Sequence, residues 1–451
     1  MDETITLLKN GRILPVAVIG VFLILFGVSS QAIGLMAFIF CIFVVLFCEN
    51  DVLVICCLAC WMNFAQIFKL SVDGLSLYTL LVLLFAVKQL IKRKEIDYSF
   101  LVTLLVYAIF LVLGMKIQFF AAIKNIMMPV QLYVMAMCLD YHGLKKVSGF
   151  FILGTIIESI AASFKTIIPG LANYMSNRNV FAVATLEGYV PQSRFSGLWE
   201  DPNFYSIHLL LGILICLILF SRREIKGELF IAVTAVLTYF GLETLSKSFI
   251  LMLALILIYA YVLFLKNKQI GRVIVLSLAL FILVALIAAG TIDDFSLILE
   301  RLREGITTGD SLTTGRTGIW KDYIYYFYTN PEKLLFGIGL GGSIPFKYAP
   351  HNAYLELILY IGLTGTFIFC LTIYNAIKAA WNFAARGLAV PVLCVLLMYF
   401  FLGVYNSLDL QVELLLVFGY LCLNKENEET ETTDCKQGEI IRGYEINPDC
   451  Q

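Results

Sequence analysis

The sequence predicts an all-α polytopic membrane protein, and composition, recurring apolar runs and the placement of basic residues all point to it. The chain has 451 residues, 60% of them hydrophobic and only 14% charged. Its mean hydropathy is +0.88. A soluble domain does not sustain such values, whereas a protein with many membrane helices does. Apolar runs recur along the whole chain, most of them long enough to cross a hydrocarbon core of about 30 Å as a helix.

Read in order, the runs give spans over 13–28, 31–48, 51–68, 74–91, 99–115, 120–139, 148–168, 204–221, 227–242, 248–265, 272–290, 352–377, 388–404 and 409–423. That is about fourteen helices, of which short ones such as 227–242 fit as tilted or half-buried segments. Basic residues in the short turns set the orientation. Lys9 and Arg12 precede the first span. Alternate turns then carry Lys88, Lys92, Arg93 and Lys94; Lys145 and Lys146; Arg222, Arg223 and Lys226; Lys266, Lys268 and Arg272; and Lys378 and Arg386. The opposite turns carry mainly Lys69, Lys116, Lys124 and Lys247. Both termini are therefore expected in the cytoplasm. The first apolar run reads as a retained signal-anchor, although Ser29-Ser30-Gln31-Ala32 superficially resembles a cleavage site.

The expected organisation is N-terminal transmembrane helices over 1–168, a first exterior loop over 169–203 and central helices over 204–290. A large, partly helical exterior loop over 291–351, C-terminal helices over 352–423 and an acidic cytoplasmic tail over 424–451 follow. Both long polar segments thus fall on the non-cytoplasmic face.

Several function classes are not supported. Twelve cysteines lie almost all within apolar spans, with Cys435 and Cys450 in the tail and none in either exterior loop, so a disulfide framework is not expected. Cys57-Leu58-Ala59-Cys60 has redox spacing but sits mid-span, where a thiol packs as a small apolar group. No metal ligation and no cofactor are expected. A net charge of −1 argues against a nucleic-acid partner. There is no phosphate-binding loop of the nucleotide-hydrolase type and no convincing internal repeat.

Chemistry concentrates in the two exterior segments. In the first, Arg194-Phe195-Ser196-Gly197 is followed by Glu200-Asp201-Pro202-Asn203 at the start of a helix. Asp201 or Asn203 can cap that start, with Pro202 pre-set for the first turn. Arg194 is a different matter, because a guanidinium grips phosphate oxygens through paired hydrogen bonds. In the second, Arg316 precedes an aromatic amphipathic stretch over 319–328, ended by Asn330-Pro331 and expected to lie along the bilayer surface. With Thr313 and Thr314 as caps, Arg316 would stand at the positive end of a helix, where anions are favoured. Gly337-Ile338-Gly339-Leu340-Gly341-Gly342 reads as a flexible turn back to the membrane.

His351 opens the next span from the outside, placed to accept a proton where water meets the bilayer. A lone interfacial histidine is ordinarily structural; the two arginines on the same face turn the reading towards catalysis. His142 and His208 look ordinary, the first in a cytoplasmic turn and the second inside a span. Lys247, at the outer tip Thr244-Leu245-Ser246-Lys247-Ser248, adds positive charge near the same face. Glu158 is ionisable and mid-span, which marks it for either function or pairing with another helix. Glu356 is five residues beyond His351, off its helical face.

These pieces together resemble the O-antigen ligase and polysaccharide polymerase superfamily of bacterial membrane glycosyltransferases. The resemblance covers about 190–370: the Arg194 motif with Asp201-Pro202-Asn203, Ser246-Lys247-Ser248, Arg316-Thr317-Gly318-Ile319-Trp320, Phe336-Gly337-Ile338-Gly339, and His351-Asn352-Ala353-Tyr354-Leu355 with Gly362 and Gly365. It implies a metal-independent transferase at the outer face of the plasma membrane, taking a glycan from undecaprenyl diphosphate to an acceptor glycan hydroxyl. On that analogy Arg194 and Arg316 bind the departing diphosphate and His351 is the general base. Family members often have Arg-Gly where this chain has Lys247-Ser248, and lysine lacks the bidentate fork.

Three functions follow from this reading. The first is a polymerase joining lipid-linked repeat units into O-antigen, capsule or exopolysaccharide. The second is a ligase moving finished glycan to an acceptor. The third is a non-enzymatic exporter or flippase, which would line a cavity with cations rather than gather them at one face. Beyond the lipid bilayer and its substrates, a chain-length regulator and a flippase of the same pathway are the expected partners.

Overall fold

The computed structural model describes residues 13–68, 76–92, 96–114, 119–176, 180–185, 188–199, 201–288, 316–340, 342–381, 389–401 and 410–423. Thr313, Thr314, Glu200, the acidic tail with Cys435 and Cys450, and most of the exterior segment before Arg316 lie outside the described residues.

The chain is built from helices. In its first half these are α1 (Ile13–Gly27), α2 (Gln31–Phe47), α3 (Asp51–Trp61), α4 (Leu77–Lys92), α5 (Tyr98–Leu113), α6 (Phe119–Ala136), α7 (Tyr141–Ser163) and the short α8 (Leu171–Ser176). Then come α9 (Pro202–Ser221), α10 (Gly227–Glu243), α11 (Lys247–Lys266) and α12 (Ile270–Ala288). The last group is α13 (Arg316–Thr329), α14 (Pro331–Phe336), α15 (Ala353–Ala380), α16 (Ala389–Phe401) and α17 (Leu410–Cys422).

Each apolar run identified in the sequence carries a helix. Four of them, α7, α9, α11 and α15, are long and apolar enough to cross a membrane by length and composition. Segment 169–203 holds an element not foreseen. Antiparallel strands β1 (Val180–Thr185) and β2 (Gly188–Ser193) pair from Val180↔Ser193 to Thr185↔Gly188. Val180, Val183, Thr185, Tyr189 and Val190 supply β-prone side chains there, but the run is too short to stand out in a hydropathy window.

Helix starts follow local chemistry. Asn50, Asp97, Asp140, Asp201, Ser246 and Asn352 each accept a hydrogen bond from a backbone N–H of the first turn they precede. α9 is the central helix, with every residue from Tyr205 to Phe220 buried. It packs against α7, α10, α11 and α16. Among apolar helices there is no water to exclude, so close approach and polar contacts do the joining. Gly154 of α7 lies against the Cys60 backbone of α3, where a Cβ would collide. Asn63, just beyond α3, bridges the same pair, donating to the Phe151 carbonyl (3.4 Å) and accepting from Thr155 Oγ1 (3.0 Å).

At about 1.5 Å per residue, α9 separates its two ends by about 30 Å. At one end lies Asp201. At the other, Arg222 donates to the Tyr420 carbonyl (3.3 Å) and stacks over the Tyr141 and Tyr420 rings, while Lys145 pairs with Glu224 (3.0 Å).

Candidate functional site at the start of the central helix

The loop from Arg194 to Asn203 is tied to the turn between α10 and α11. Arg194 Nε donates to the Thr244 carbonyl (2.9 Å), and Phe195 N–H donates to the Glu243 carbonyl (3.2 Å). The Phe195 ring stacks on Phe240. From the other side, Ser246 Oγ donates to Asn203 Oδ1 (2.9 Å) and Ser206 Oγ to Thr244 Oγ1 (3.3 Å). Arg194 and Lys247, the first residue of α11, therefore belong to one knot of backbone.

Glu158 is the buried acid of α7. Its Oε1 accepts from the Leu198 N–H (2.8 Å), which ties the acid to the loop. Gly197 makes this possible. It has a φ of +57°, and a Cβ there would overlap the Glu158 carboxylate and the Tyr205 ring.

The second exterior segment is assembled separately. Tyr323, Phe327, Ile338 and Leu359 form a small core of their own, joined by Ile319, Tyr326 and Phe346. Trp320 Nε1 donates to the Pro350 carbonyl and Tyr323 OH to the Tyr348 carbonyl, both at 2.9 Å. α13 thus holds the strand of chain that delivers His351. On the far side Asn352 caps α15, accepting from the N–H groups of Tyr354 (3.0 Å) and Leu355 (3.1 Å).

The glycine run is an ordered brace, which replaces the expectation of a flexible turn. α15 breaks at Gly362 (φ +67°), which takes backbone carbonyls before it out of the helical pattern. Ile338 N–H donates to the Leu359 carbonyl (2.7 Å) and Gly339 N–H to the Tyr360 carbonyl (3.0 Å). A Cβ on Gly337 would strike the Tyr360 carbonyl, and one on Gly362 the Leu335 carbonyl.

Arg316 and His351 meet electrostatically around Asp201. Arg316 donates to the Phe401 carbonyl at the end of α16. Burial lowers its pKa, and Asp201 opposes that shift. A guanidinium stays charged through such a shift. His351 is lowered from the usual histidine value by burial first and by Arg316 second, with Asp201 again opposing. It is therefore neutral at pH 7, the form that accepts a proton. Asp201 does more than cap α9 through the Asn203 N–H (2.7 Å): its charge acts on the cation and the base alike. The sequence reading, which assigned Asp201 to the cap alone, missed this.

His351 also has a left-handed backbone, with φ +47°. Arg223, Leu245 and Lys268 share that geometry, but each follows the C-terminus of a helix, where such residues satisfy the last carbonyls. His351 precedes a helix, so no helix ending accounts for its conformation. Held strain of this kind costs about 1–3 kcal/mol and concentrates at functional sites.

His142 is exposed, but it sits in the first turn of α7 and not in a connecting turn. His208 is not ordinary: its Nε2 lies 2.9 Å from Glu413 Oε1, with both side chains buried. Spacing along the sequence gives no sign of this pair, because its members are 205 residues apart.

Residues 230–370, from α10 to beyond the kink of α15, match the family model described as O-antigen ligase. No curated protein and no solved structure matches the chain. The matched stretch contains Lys247, Arg316 and His351, and the loop bearing Arg194 lies just before it. The match supports the O-antigen ligase and polymerase superfamily, and with the apolar helices it indicates a membrane protein.

Proposed function

We propose that this chain is a membrane glycosyltransferase that polymerises undecaprenyl-diphosphate-linked oligosaccharide repeat units into a surface polysaccharide at the outer face of the plasma membrane. The observation that carries the reading is the electrostatic coupling of Arg316, His351 and Asp201, with Asp201 at the start of α9: a half-buried cation, a neutral base and an acid that acts on both.

In the proposed reaction, His351 takes the proton of an acceptor sugar hydroxyl. The hydroxyl oxygen attacks the anomeric carbon of the donor, and the bond from that carbon to the diphosphate oxygen breaks. The diphosphate leaves with the bonding electron pair. Arg316 and Arg194 stabilise the negative charge that develops on it, which fixed cations away from bulk water do well. Lys247 adds charge at the hairpin tip without a bidentate fork. Asp201 keeps Arg316 and His351 in register by acting on both. The lipid carrier already activates the donor, so the chemistry needs no nucleotide.

The ligase reading has its own support, since the matched family is described as O-antigen ligase. Gel separation of surface glycan and lipid-linked intermediates distinguishes the two. The samples are a deletion strain complemented with wild type, Arg194→Ala, Arg316→Ala or His351→Ala. A polymerase variant loses the chain-length ladder and retains a single repeat unit; a ligase variant strands full-length glycan on its carrier. Normal glycan from all three variants would remove the site.

A further inference from the structure

His208 and Glu413 form a buried polar pair that the proposed chemistry does not use. His208 lies six residues into α9, roughly 9 Å below its start at the helical rise, and Glu413 lies in the first turn of α17. His208 is 2% exposed and Glu413 3%, at a separation of 2.9 Å. The Trp199 ring stands edge-on to the imidazole, 4.4 Å between centroids, and Phe151 of α7 closes another side. Trp199 is itself buried, and it belongs to the loop that carries Arg194 and Asp201.

An isolated polar or charged side chain at this depth costs several kcal/mol, so each member needs the other as its partner. It is also incomplete as a packing device. Trp199 Nε1, His208 Nδ1 and Glu413 Oε2 are buried without a hydrogen-bond partner among the described residues. A hydrophobic trio would fill the same space at lower cost, so the polar pair needs a reason beyond stability. The reason on view is Trp199. Between Trp199 and Asp201 there is a single residue, and Trp199 is locked to its own turn by its N–H on the Ser196 carbonyl (3.0 Å) and by Ser196 Oγ on its own carbonyl (2.8 Å).

We propose that the His208–Glu413 pair is a positioning clasp that fixes the Arg194–Asp201 loop through Trp199. This rests on the proposed function only in making that loop part of the site. Glu413 orients the imidazole; the imidazole seats the indole; the indole sets where the loop crosses the head of α9. Glu158 does the same for the neighbouring turn through Leu198. Two buried acids from two different helices thus root one loop.

The test is hydrogen–deuterium exchange of the full chain in lipid nanodiscs. The wild type is compared with Glu413→Leu, Trp199→Leu and the double variant His208→Gln with Glu413→Gln, which keeps a neutral hydrogen bond. Glu413→Leu and Trp199→Leu are expected to speed exchange in 194–201 about tenfold or more, with α10 and α11 unchanged. The double variant keeps a polar pair but loses the imidazole that seats the indole, so it is expected to speed exchange in 194–201 as well. Trp199→Leu leaves both helices intact, so it reports even if Glu413→Leu fails to fold. Unchanged exchange in 194–201, or acceleration spread evenly over all helices, overturns the clasp. A loop that loosens while surface glycan stays normal leaves the clasp standing and removes the loop from the proposed active site instead.

Discussion

The loop over 194–203 and the segment over 316–352 each carry an arginine of the proposed site, but they are held in opposite ways. The first has no core of its own. It is rooted in the helical body by Glu158, by Trp199 on His208 and by the turn between α10 and α11. The second packs Tyr323, Phe327 and Ile338 on Leu359 of α15, in a core apart from the main one, and leans on the body through Trp320 on Phe400, Tyr354 OH on the Leu396 carbonyl and the break in α15. A rooted loop inherits the stiffness of the helices below it. A separately packed segment moves as a unit, so the Arg316–His351 pair is kept together even if its distance to Arg194 changes. Asp201, on the rooted side but acting on Arg316 and His351, is the electrostatic link between them.

The sharpest way to break this comparison is to remove chemistry from the packed segment without disturbing its core. His351→Ala is expected to lower turnover of a lipid-linked donor by purified protein about 10²–10⁴-fold, the range for a lost general base. Arg316→Ala is expected to cost about 10²–10³-fold, as for a lost anion-stabilising donor. Arg316→Lys should recover only part of that, because the charge returns without the fork. If Arg194→Ala cost more than either, the rooted loop, not the packed segment, would hold the centre of the reaction.

The pH profile sharpens the link across the two regions. His351 is held below the usual histidine value of about 6.5 by burial and Arg316. The active, neutral form therefore predominates at pH 7, and activity should fall only on the acid side, below the ordinary histidine range. Arg316→Ala removes a neighbouring positive charge and should move that acid limb to higher pH. Asp201→Asn removes the opposing acid and should move it lower. Stability runs in the same direction. The unfolded chain takes the proton first as pH falls, so the contribution of neutral His351 is complete above the ordinary value and is lost as pH drops through the folded one. An acid limb that stays put in both variants would separate His351 from Arg316 and Asp201.

Much of this was readable in the sequence, unevenly and for physical reasons. Apolar runs mark helices because every backbone polar group must be paired within an apolar medium, so the helix positions follow from hydropathy. Asp201 announced itself as a cap by type and place, while the caps at Asn352 and Ser246 emerge from the structure. The electrostatic influence of Arg316 on His351 is in keeping with their place in one polar segment of the sequence. Three features were not. The His208–Glu413 pair joins helices far apart in sequence, and its pattern on either one is that of an ordinary span. The second role of Asp201 depends on Arg316 and His351 coming within electrostatic reach of it, although they lie more than a hundred residues further along the chain. The ordered brace at Gly337 depends on a helix break at Gly362, and a glycine-dense run carries no sign of which carbonyls it will meet.

The smallest expected effects test the difference in anchoring itself. Glu158→Leu strands the Leu198 N–H in a buried place and should cost about 1–3 kcal/mol, the penalty of an unmade hydrogen bond. Its exchange signature should sit in 194–201 and leave 316–352 unaltered. Gly337→Ala forces a Cβ towards the Tyr360 carbonyl at a positive φ, with a strain cost of about 1–3 kcal/mol. It should loosen α13, α14 and the run to His351 while 194–201 keeps its protection. The two variants are matched in cost and opposite in place, so the readout is their contrast rather than their size. If each loosened both regions equally, the loop and the segment would be one cooperative unit, and the single lid-like body so defined would have to carry Arg194, Arg316 and His351 together.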